Sequence, residues 1–94
     1  MFKVITSVEV SPFAEKQIKR IPRQIQEALR NWVESVKWTG IRETRKFKGF
    51  HDEPLHGSRK GQRSVRLNRA YRIIYREEIE SILLIVIEVT KHAY

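Results

Sequence analysis

Helical and strand periodicity are separated along this chain, and that separation limits the fold more than any other feature. Between Ile25 and Val36 the apolar residues recur every three or four positions, as on one stripe of a helix. After residue 62 the pattern becomes strand-like, and the segment 81–89 is apolar on both faces. Helices followed by strands are typical of an α+β fold, with helices packed on a sheet in which 81–89 is central.

Two helices are predicted between the first strand and the middle of the chain. Residues 2–10 are rich in β-branched side chains and predict a strand. Ser11–Pro12 then supplies an N-cap and a first helical residue. Pro22 ends this short helix and opens a longer one, which runs to about Trp38 and stops at Gly40. We expect the two helices to form a hairpin whose apolar stripe faces the sheet.

The second half of the chain predicts a loop and three strands. Residues 41–61 hold no sustained period, so we expect a loop there, with a short strand or turn near Thr44–Phe47. The strands follow at about 62–67, 71–77 and 81–89. The predicted order is βααβββ, a helical hairpin on one face of a mostly antiparallel sheet, forming a single domain over residues 1–94.

Composition excludes several classes of site. The chain has no cysteine, which excludes disulfide scaffolds, thiolate zinc sites, iron–sulfur clusters and cysteine nucleophiles. The longest apolar run, Ile82–Ile87, is far shorter than the roughly 20 residues of a membrane span. The first residues alternate like a strand and lack the apolar block of a signal peptide. We therefore expect a cytosolic protein.

The positive charge is concentrated in one third of the chain. The formal net charge is +8, and residues 40–76 alone carry eleven Lys or Arg against three Asp or Glu. Such a basic region is typical of a surface that binds a polyanion or an acidic partner. The alternative is a solvated basic surface that only aids solubility.

The segment 63–76 predicts a hairpin that brings two arginines together. If Leu67 pairs with Tyr71 across a three-residue loop, the larger apolar side chains share the face toward the helices. Arg66 then lies directly opposite Arg72 on the other, uncovered face. Like charges in this arrangement are unfavourable unless an anion lies between them, and a phosphate suits two planar guanidinium groups. The alternative is a pair of arginines splayed into solvent or paired with Glu88.

The same hairpin resembles a known protein family. The segment 63–75 (Arg-Ser-Val-Arg-Leu-Asn-Arg-Ala-Tyr-Arg-Ile-Ile-Tyr) is similar to the hairpin of the RelE/ParE toxin superfamily. Glu53–Gly57 resembles the His-Pro-Leu-Lys-Gly element of its HigB-like and YafQ-like branches, and the ending 89–94 resembles theirs. Glu53 replaces the usual His, and His56 stands where those relatives have Lys.

The resemblance implies the toxin of a type II toxin–antitoxin system. Such a toxin enters the A site of the 30S ribosomal subunit and cuts mRNA by attack of the 2′-OH, without a metal or another cofactor. Its partners would be a cognate antitoxin, the ribosome and mRNA. The family pattern maps phosphate binding onto Arg66 and Arg72, the C-terminal catalytic position onto His92, and a terminal aromatic onto Tyr94.

Other polar residues have weaker assignments. His56 or Glu53 is a candidate proton carrier beside the phosphate. The cluster His51, Asp52, Glu53 and His56 has no strong metal-ligand spacing, so no metal is expected. Six further basic residues are candidates for contacts to RNA or the ribosome, each adding to the salt dependence of binding: Lys46, Lys48, Arg59, Lys60, Arg63 and Arg69.

Two other functions are compatible with this sequence. A ParE-like protein on the same fold would inhibit DNA gyrase by binding, without chemistry. A basic RNA-binding module would bind without cleaving. The arginine pair and His92 at the expected positions favour the nuclease.

Overall fold

Three α-helices and five strands lie in the part of the chain that the computed structural model describes, residues 7–78 and 83–91. Their order is β1 (Ser7–Val10), α1 (Pro12–Ile18), α2 (Arg23–Thr39), α3 (Ile41–Arg45), β2 (Glu53–Pro54), β3 (Gln62–Arg66), β4 (Tyr71–Glu78) and β5 (Leu83–Lys91). Two 3₁₀ turns flank β2, at Lys48–Phe50 and Gly57–Arg59. The predicted α+β class is confirmed.

The sheet has the strand order β1-β5-β4-β3-β2. β1 runs parallel to β5, and the other three neighbouring pairs are antiparallel. β5 therefore has a hydrogen-bonded neighbour on each side, as predicted for a strand that is apolar on both faces. None of the helices in these residues has the length and apolar content of a membrane span.

The helical hairpin begins and ends at the predicted signals. The Ser11 hydroxyl accepts a hydrogen bond from the Ala14 N–H at 3.1 Å, and Pro12 is the first residue of α1. Gly40 ends α2 with φ 90°, a conformation that glycine adopts without a Cβ clash. The Gln26 side-chain amide donates to the Ile18 carbonyl at 2.8 Å and thereby joins the two helices.

The core lies between the α2 stripe and one face of the sheet. Trp32 and Val36 from α2 and Ile73 and Tyr75 from β4 are completely buried in the same cluster. The Trp32 and Tyr75 ring centroids are 5.1 Å apart, an aromatic contact that adds to their burial. This packing leaves the opposite face of the sheet, where Arg66 and Arg72 were predicted, on the side away from the helices.

The segment 41–61 corrects the sequence-based prediction. A short helix, α3, includes Thr44 and Arg45 of the predicted strand or turn at Thr44–Phe47, and the short strand lies instead at Glu53–Pro54. Thr44 is buried, and its hydroxyl is hydrogen-bonded to that of Ser35 on α2 at 2.9 Å. Both elements depend on contacts with residues distant in sequence, and local sequence patterns do not predict such contacts.

Candidate anion-binding site

The hairpin places Arg66 and Arg72 directly opposite each other on β3 and β4. The Leu67 N–H donates to the Tyr71 carbonyl at 2.9 Å across the predicted three-residue loop. Because hydrogen-bonded and non-hydrogen-bonded pairs alternate in an antiparallel ladder, Arg66 and Arg72 form a non-hydrogen-bonded pair, with Cα atoms about 4.5 Å apart. Asn68 supports the loop, because its side-chain oxygen accepts hydrogen bonds from the Ala70 and Tyr71 N–H groups at 2.7 and 2.8 Å.

The two arginines have different surroundings. Arg72 is half-buried, and its Nη1 donates to the Ser64 hydroxyl at 3.0 Å, which directs the guanidinium back along β3. Arg66 is also half-buried, but it forms no hydrogen bond or ion pair with another residue of 7–78. Within these residues, one guanidinium is thus held by a hydrogen bond and the other is not. An anion between them would relieve the unfavourable pairing of like charges.

This face of the sheet is less open than the sequence predicted. Ser64 and Ile74, both on the side of Arg66 and Arg72, are only 3% and 6% exposed. The Arg72 guanidinium accounts for part of this burial, since it lies against the Ser64 hydroxyl. The accessible part of the candidate site is therefore the end of the face next to the hairpin loop.

Of the two proposed proton carriers, only Glu53 lies near the arginine pair. Glu53 is exposed and pairs with Ser64, whose hydroxyl is the acceptor for Arg72. His56 follows Leu55, whose N–H donates to the Gln62 carbonyl at the start of β3. Gln62 and Arg66 are four positions apart, which is about 13 Å along a strand. His92 and Tyr94, the two C-terminal candidates, lie outside the described residues.

The six candidate RNA-contacting residues fall into two groups. Three have partners already: Lys46 forms an ion pair with Glu43 at 2.9 Å, Arg59 donates to Gln62 at 2.9 Å, and Arg63 donates to Asp52 at 2.5 Å. The other three are exposed and have no hydrogen bond or ion pair within residues 7–78: Lys48, Lys60 and Arg69. The second group is better suited to bind a phosphate backbone.

Asp52 has a structural role that the sequence did not reveal. Its side chain is only 1% exposed and accepts hydrogen bonds from Arg63 Nε and the Tyr75 hydroxyl, each at 2.5 Å. Arg45 Nε lies 3.8 Å from the same carboxylate. These contacts of Asp52 fasten the segment before β2 to α3 and to the sheet. In the described part of the chain, no group of acidic or histidine side chains is arranged to hold a metal. The one sequence signal for Asp52 was its rarity, as one of three acidic residues in the basic third of the chain.

The environment of Tyr75 raises the pKa of its phenol above the ordinary value of 10.0. Burial is the largest cause, and the hydrogen bond that the phenol donates to Asp52 acts in the same direction. Arg45, which donates to the phenol oxygen at 3.2 Å, opposes the shift. The folded state thus favours the protonated phenol.

This shift predicts a loss of stability in alkali. Because the folded-state pKa is raised, the contribution of Tyr75 is complete below the unfolded pKa of about 10 and is lost as the pH rises above it. We expect Tyr75→Phe to flatten the decline in the free energy of unfolding above pH 10. Urea unfolding between pH 8 and 11.5 measures this, with Tyr71→Phe as the control. An equally steep decline in Tyr75→Phe would contradict the assignment.

Comparison with known proteins shows that the fold of this chain is similar to that of several solved structures. No family model matches the chain, and no curated protein is significantly similar to it in sequence. Solved structures do match. The RelBE2 toxin–antitoxin complex of Mycobacterium tuberculosis gives a TM-score of 0.72 at 19% identity, covering 95% of this chain and 100% of the other. The YoeB/ParE toxin from Agrobacterium tumefaciens gives 0.74 at 19% identity, covering 94% and 100%. YafQ of E. coli gives 0.72 at 20% identity, covering 93% of each chain.

Proposed function

We propose, on the premise that this chain has the RelE-like fold of these toxins, that it is the toxin of a type II toxin–antitoxin system. The similar structures include complexes of a toxin with its antitoxin, such as RelBE2 and DinJ–YafQ. The proposed partner is accordingly a cognate antitoxin, and the proposed location is the cytoplasm. The excess of positive charge in residues 40–76 suits an acidic antitoxin segment as well as a nucleic acid.

We further propose that the toxin is a metal-independent endoribonuclease that cuts mRNA in the ribosomal A site and so stops translation. The observation that carries this is the cross-strand pair of Arg66 and Arg72, in which Arg72 donates to Ser64 and Arg66 has no hydrogen bond within residues 7–78. Two guanidinium groups can hold a phosphodiester and stabilise the charge that develops on it during in-line attack. Outside the described residues, His92 is proposed as a general base or acid and Tyr94 as a ring that stacks on a base.

The proposed reaction is a transesterification. The 2′-oxygen forms a bond to phosphorus and gives up its proton to a base, and the bond from phosphorus to the 5′-oxygen breaks. An acid supplies a proton to that oxygen, which leaves a 2′,3′-cyclic phosphate. The position of Glu53 beside Ser64 and its exposure support it as the group that takes or gives one of these protons.

The proposed role of Glu53 is tested against His56. We expect Glu53→Gln to lower the cleavage rate by about a hundredfold or more, the usual contribution of general acid–base catalysis. His56→Ala should stay within about threefold of wild type, because His56 lies at the end of β3 that is distant from the arginine pair. Single-turnover cleavage on programmed ribosomes measures both. A larger loss in His56→Ala than in Glu53→Gln would reverse the assignment.

Primer extension on a reporter mRNA during cell-free translation tests the function as a whole. New 5′ ends in register with codons, absent when the same mRNA is incubated without ribosomes, are the expected result. Intact mRNA and unaffected protein synthesis would contradict the proposal. A gyrase supercoiling assay would then test the second candidate, since one similar structure is a YoeB/ParE toxin.

A further inference from the structure

Asp52 and Glu53 are consecutive residues that lie on opposite faces of the sheet. Glu53 pairs with Ser64, whose hydroxyl accepts the hydrogen bond from Arg72, so Glu53 lies on the face of the arginine pair. The Asp52 carboxylate contacts the hydroxyl of Tyr75, which lies on the face that packs against α2. Side chains alternate between the two faces along an extended chain. The contacts that fix Asp52 on the helix face therefore also fix the position of Glu53 on the other face.

β2 has few backbone contacts of its own with the sheet. It is an edge strand of two residues, and one of them, Pro54, has no N–H group to donate. The hydrogen bond from the Leu55 N–H to the Gln62 carbonyl, at 2.9 Å, extends this pairing by one residue. Each backbone hydrogen bond contributes only modestly to stability, because the unfolded chain forms equivalent bonds with water. Backbone pairing alone therefore holds this strand weakly.

Asp52 supplies the strong contacts of this segment. Arg63 on β3 and Tyr75 on β4 both donate to its carboxylate, and Arg63 Nη2 also donates to its backbone carbonyl, at 3.4 Å. Hydrogen bonds to a charged group are stronger than neutral ones, and burial of this carboxylate strengthens them further by excluding water. These contacts join the segment to two neighbouring strands of the sheet.

The chain reaches Asp52 through an uncommon backbone conformation. His51 has φ 44° and ψ 51°, in the left-handed region, and is the only non-glycine residue with positive φ in the part of the chain that the structure describes. Such a conformation is uncommon outside glycine and persists where the surrounding contacts determine it. The turn at His51 directs the chain from the 3₁₀ turn Lys48–Phe50 into β2, and the contacts of Asp52 hold it there.

We propose that Asp52 is a positioning residue of the cleavage reaction, which holds Glu53 beside Ser64 through contacts on the opposite face of the sheet. The proposal rests on the function above, in which Glu53 transfers a proton. Asp52 and Tyr75 are too deeply buried to contact RNA, so they act through Glu53. A displacement of about 1 Å in a reacting group can cost about a hundredfold in rate, so the position of Glu53 matters to cleavage.

A double-mutant cycle tests whether Asp52 acts through Glu53. The rate constant of single-turnover cleavage on saturating programmed ribosomes is measured for Asp52→Asn, Glu53→Gln and the double variant. We expect Asp52→Asn alone to lower this rate constant by about tenfold, and by less than about twofold in the Glu53→Gln background. The ribosome concentration that gives the half-maximal rate should not change. Equal fold losses in the two backgrounds would overturn the proposal, because a general structural defect multiplies with the loss of Glu53.

Tyr75→Phe repeats the test with a milder change. It removes only the phenolic donor to Asp52 and keeps the aromatic ring in the core. We expect a loss of about threefold with Glu53 present and no further loss in the Glu53→Gln background. Tyr71→Phe is the matched control, since it removes a hydroxyl at the hairpin end of the same strand and should leave the rate constant unchanged. Equal losses in the two tyrosine variants would also contradict the proposal.

Amide hydrogen exchange separates this proposal from the nuclease function. In Asp52→Asn the Leu55 amide should exchange at least about tenfold faster than in wild type, and the Leu67 amide, which donates to Tyr71, should change less. An unchanged Leu55 exchange rate overturns the role of Asp52 even if mRNA is cut on ribosomes. If wild type does not cut mRNA, the nuclease is refuted, and faster exchange at Leu55 then leaves Asp52 a role in stability alone, which overturns its role in the reaction.

Discussion

Arg72→Ala is expected to lower the rate of ribosome-dependent mRNA cleavage by about 10²–10³-fold, the usual effect of removing one preorganised donor to a developing oxyanion. Arg72 is the member of the pair whose guanidinium is fixed, through its 3.0 Å hydrogen bond to Ser64. A donor that is already fixed stabilises the transition state more strongly, because no free energy is spent on ordering it during the reaction. Single-turnover cleavage of mRNA on programmed ribosomes measures the effect.

Arg69→Ala is the matched control for this loss. Arg69 lies in the hairpin loop, is exposed and carries the same charge, but is not part of the cross-strand pair. We expect it to change cleavage by less than about threefold, in line with the loss of one phosphate contact. Ribosome affinity should fall only modestly in both variants. Equal losses of cleavage in the two would show that general positive charge matters and not the pair.

Asp52→Asn is expected to lower the free energy of unfolding by about 3 kcal/mol, near the lower end for breaking a buried ion pair. The carboxylate is 1% exposed, whereas Arg45 and Arg63 keep 26% and 27% of their side-chain exposure. The arginines can therefore be partly rehydrated when the charge of Asp52 is removed, which limits the loss. Urea denaturation at neutral pH measures it.

Glu43→Gln provides the comparison for Asp52→Asn. Glu43 also forms an ion pair, with Lys46 at 2.9 Å, but the two side chains are 57% and 72% exposed. Solvent screens such a pair, and its removal should cost no more than about 1 kcal/mol. If Asp52→Asn were equally mild, the cluster around Asp52 would not be what fastens the segment before β2.

The sequence was sufficient to predict the elements whose positions depend on residues close together in the chain. Ser11 and Pro12 begin α1 because a hydroxyl cap and a preset φ suit a helix start. The hairpin register followed from one requirement, that Val65 and Tyr71 share a face with Ile73 and Tyr75. α3 and β2 were not predicted, because elements of five and two residues are too short to show a periodic pattern of apolar side chains. Their stability also depends on contacts with residues that are distant in sequence.

The candidate site also has some features that the sequence predicts and others that it does not. The opposition of Arg66 and Arg72 could be predicted, since strand register follows from the alternation of side chains. Which of Glu53 and His56 lies nearer the pair could not be predicted, because it depends on which residue of the 41–61 segment pairs with β3. The hydrogen bond from Arg63, a candidate for contact with RNA, to Asp52 could not be predicted either, because these residues are eleven positions apart in sequence.

By itself, the sequence determined the α+β class, the helical hairpin and the placing of two arginines on one face of a β-hairpin. These features depend on side-chain periodicity, prolines and glycine, whose effects are local. Only the tertiary structure decided that the Asp52 side chain is buried and that Glu53 lies near the arginine pair. Such features arise where segments without a periodic pattern pack against distant elements, and the burial and charge partners found there are properties of the assembled fold.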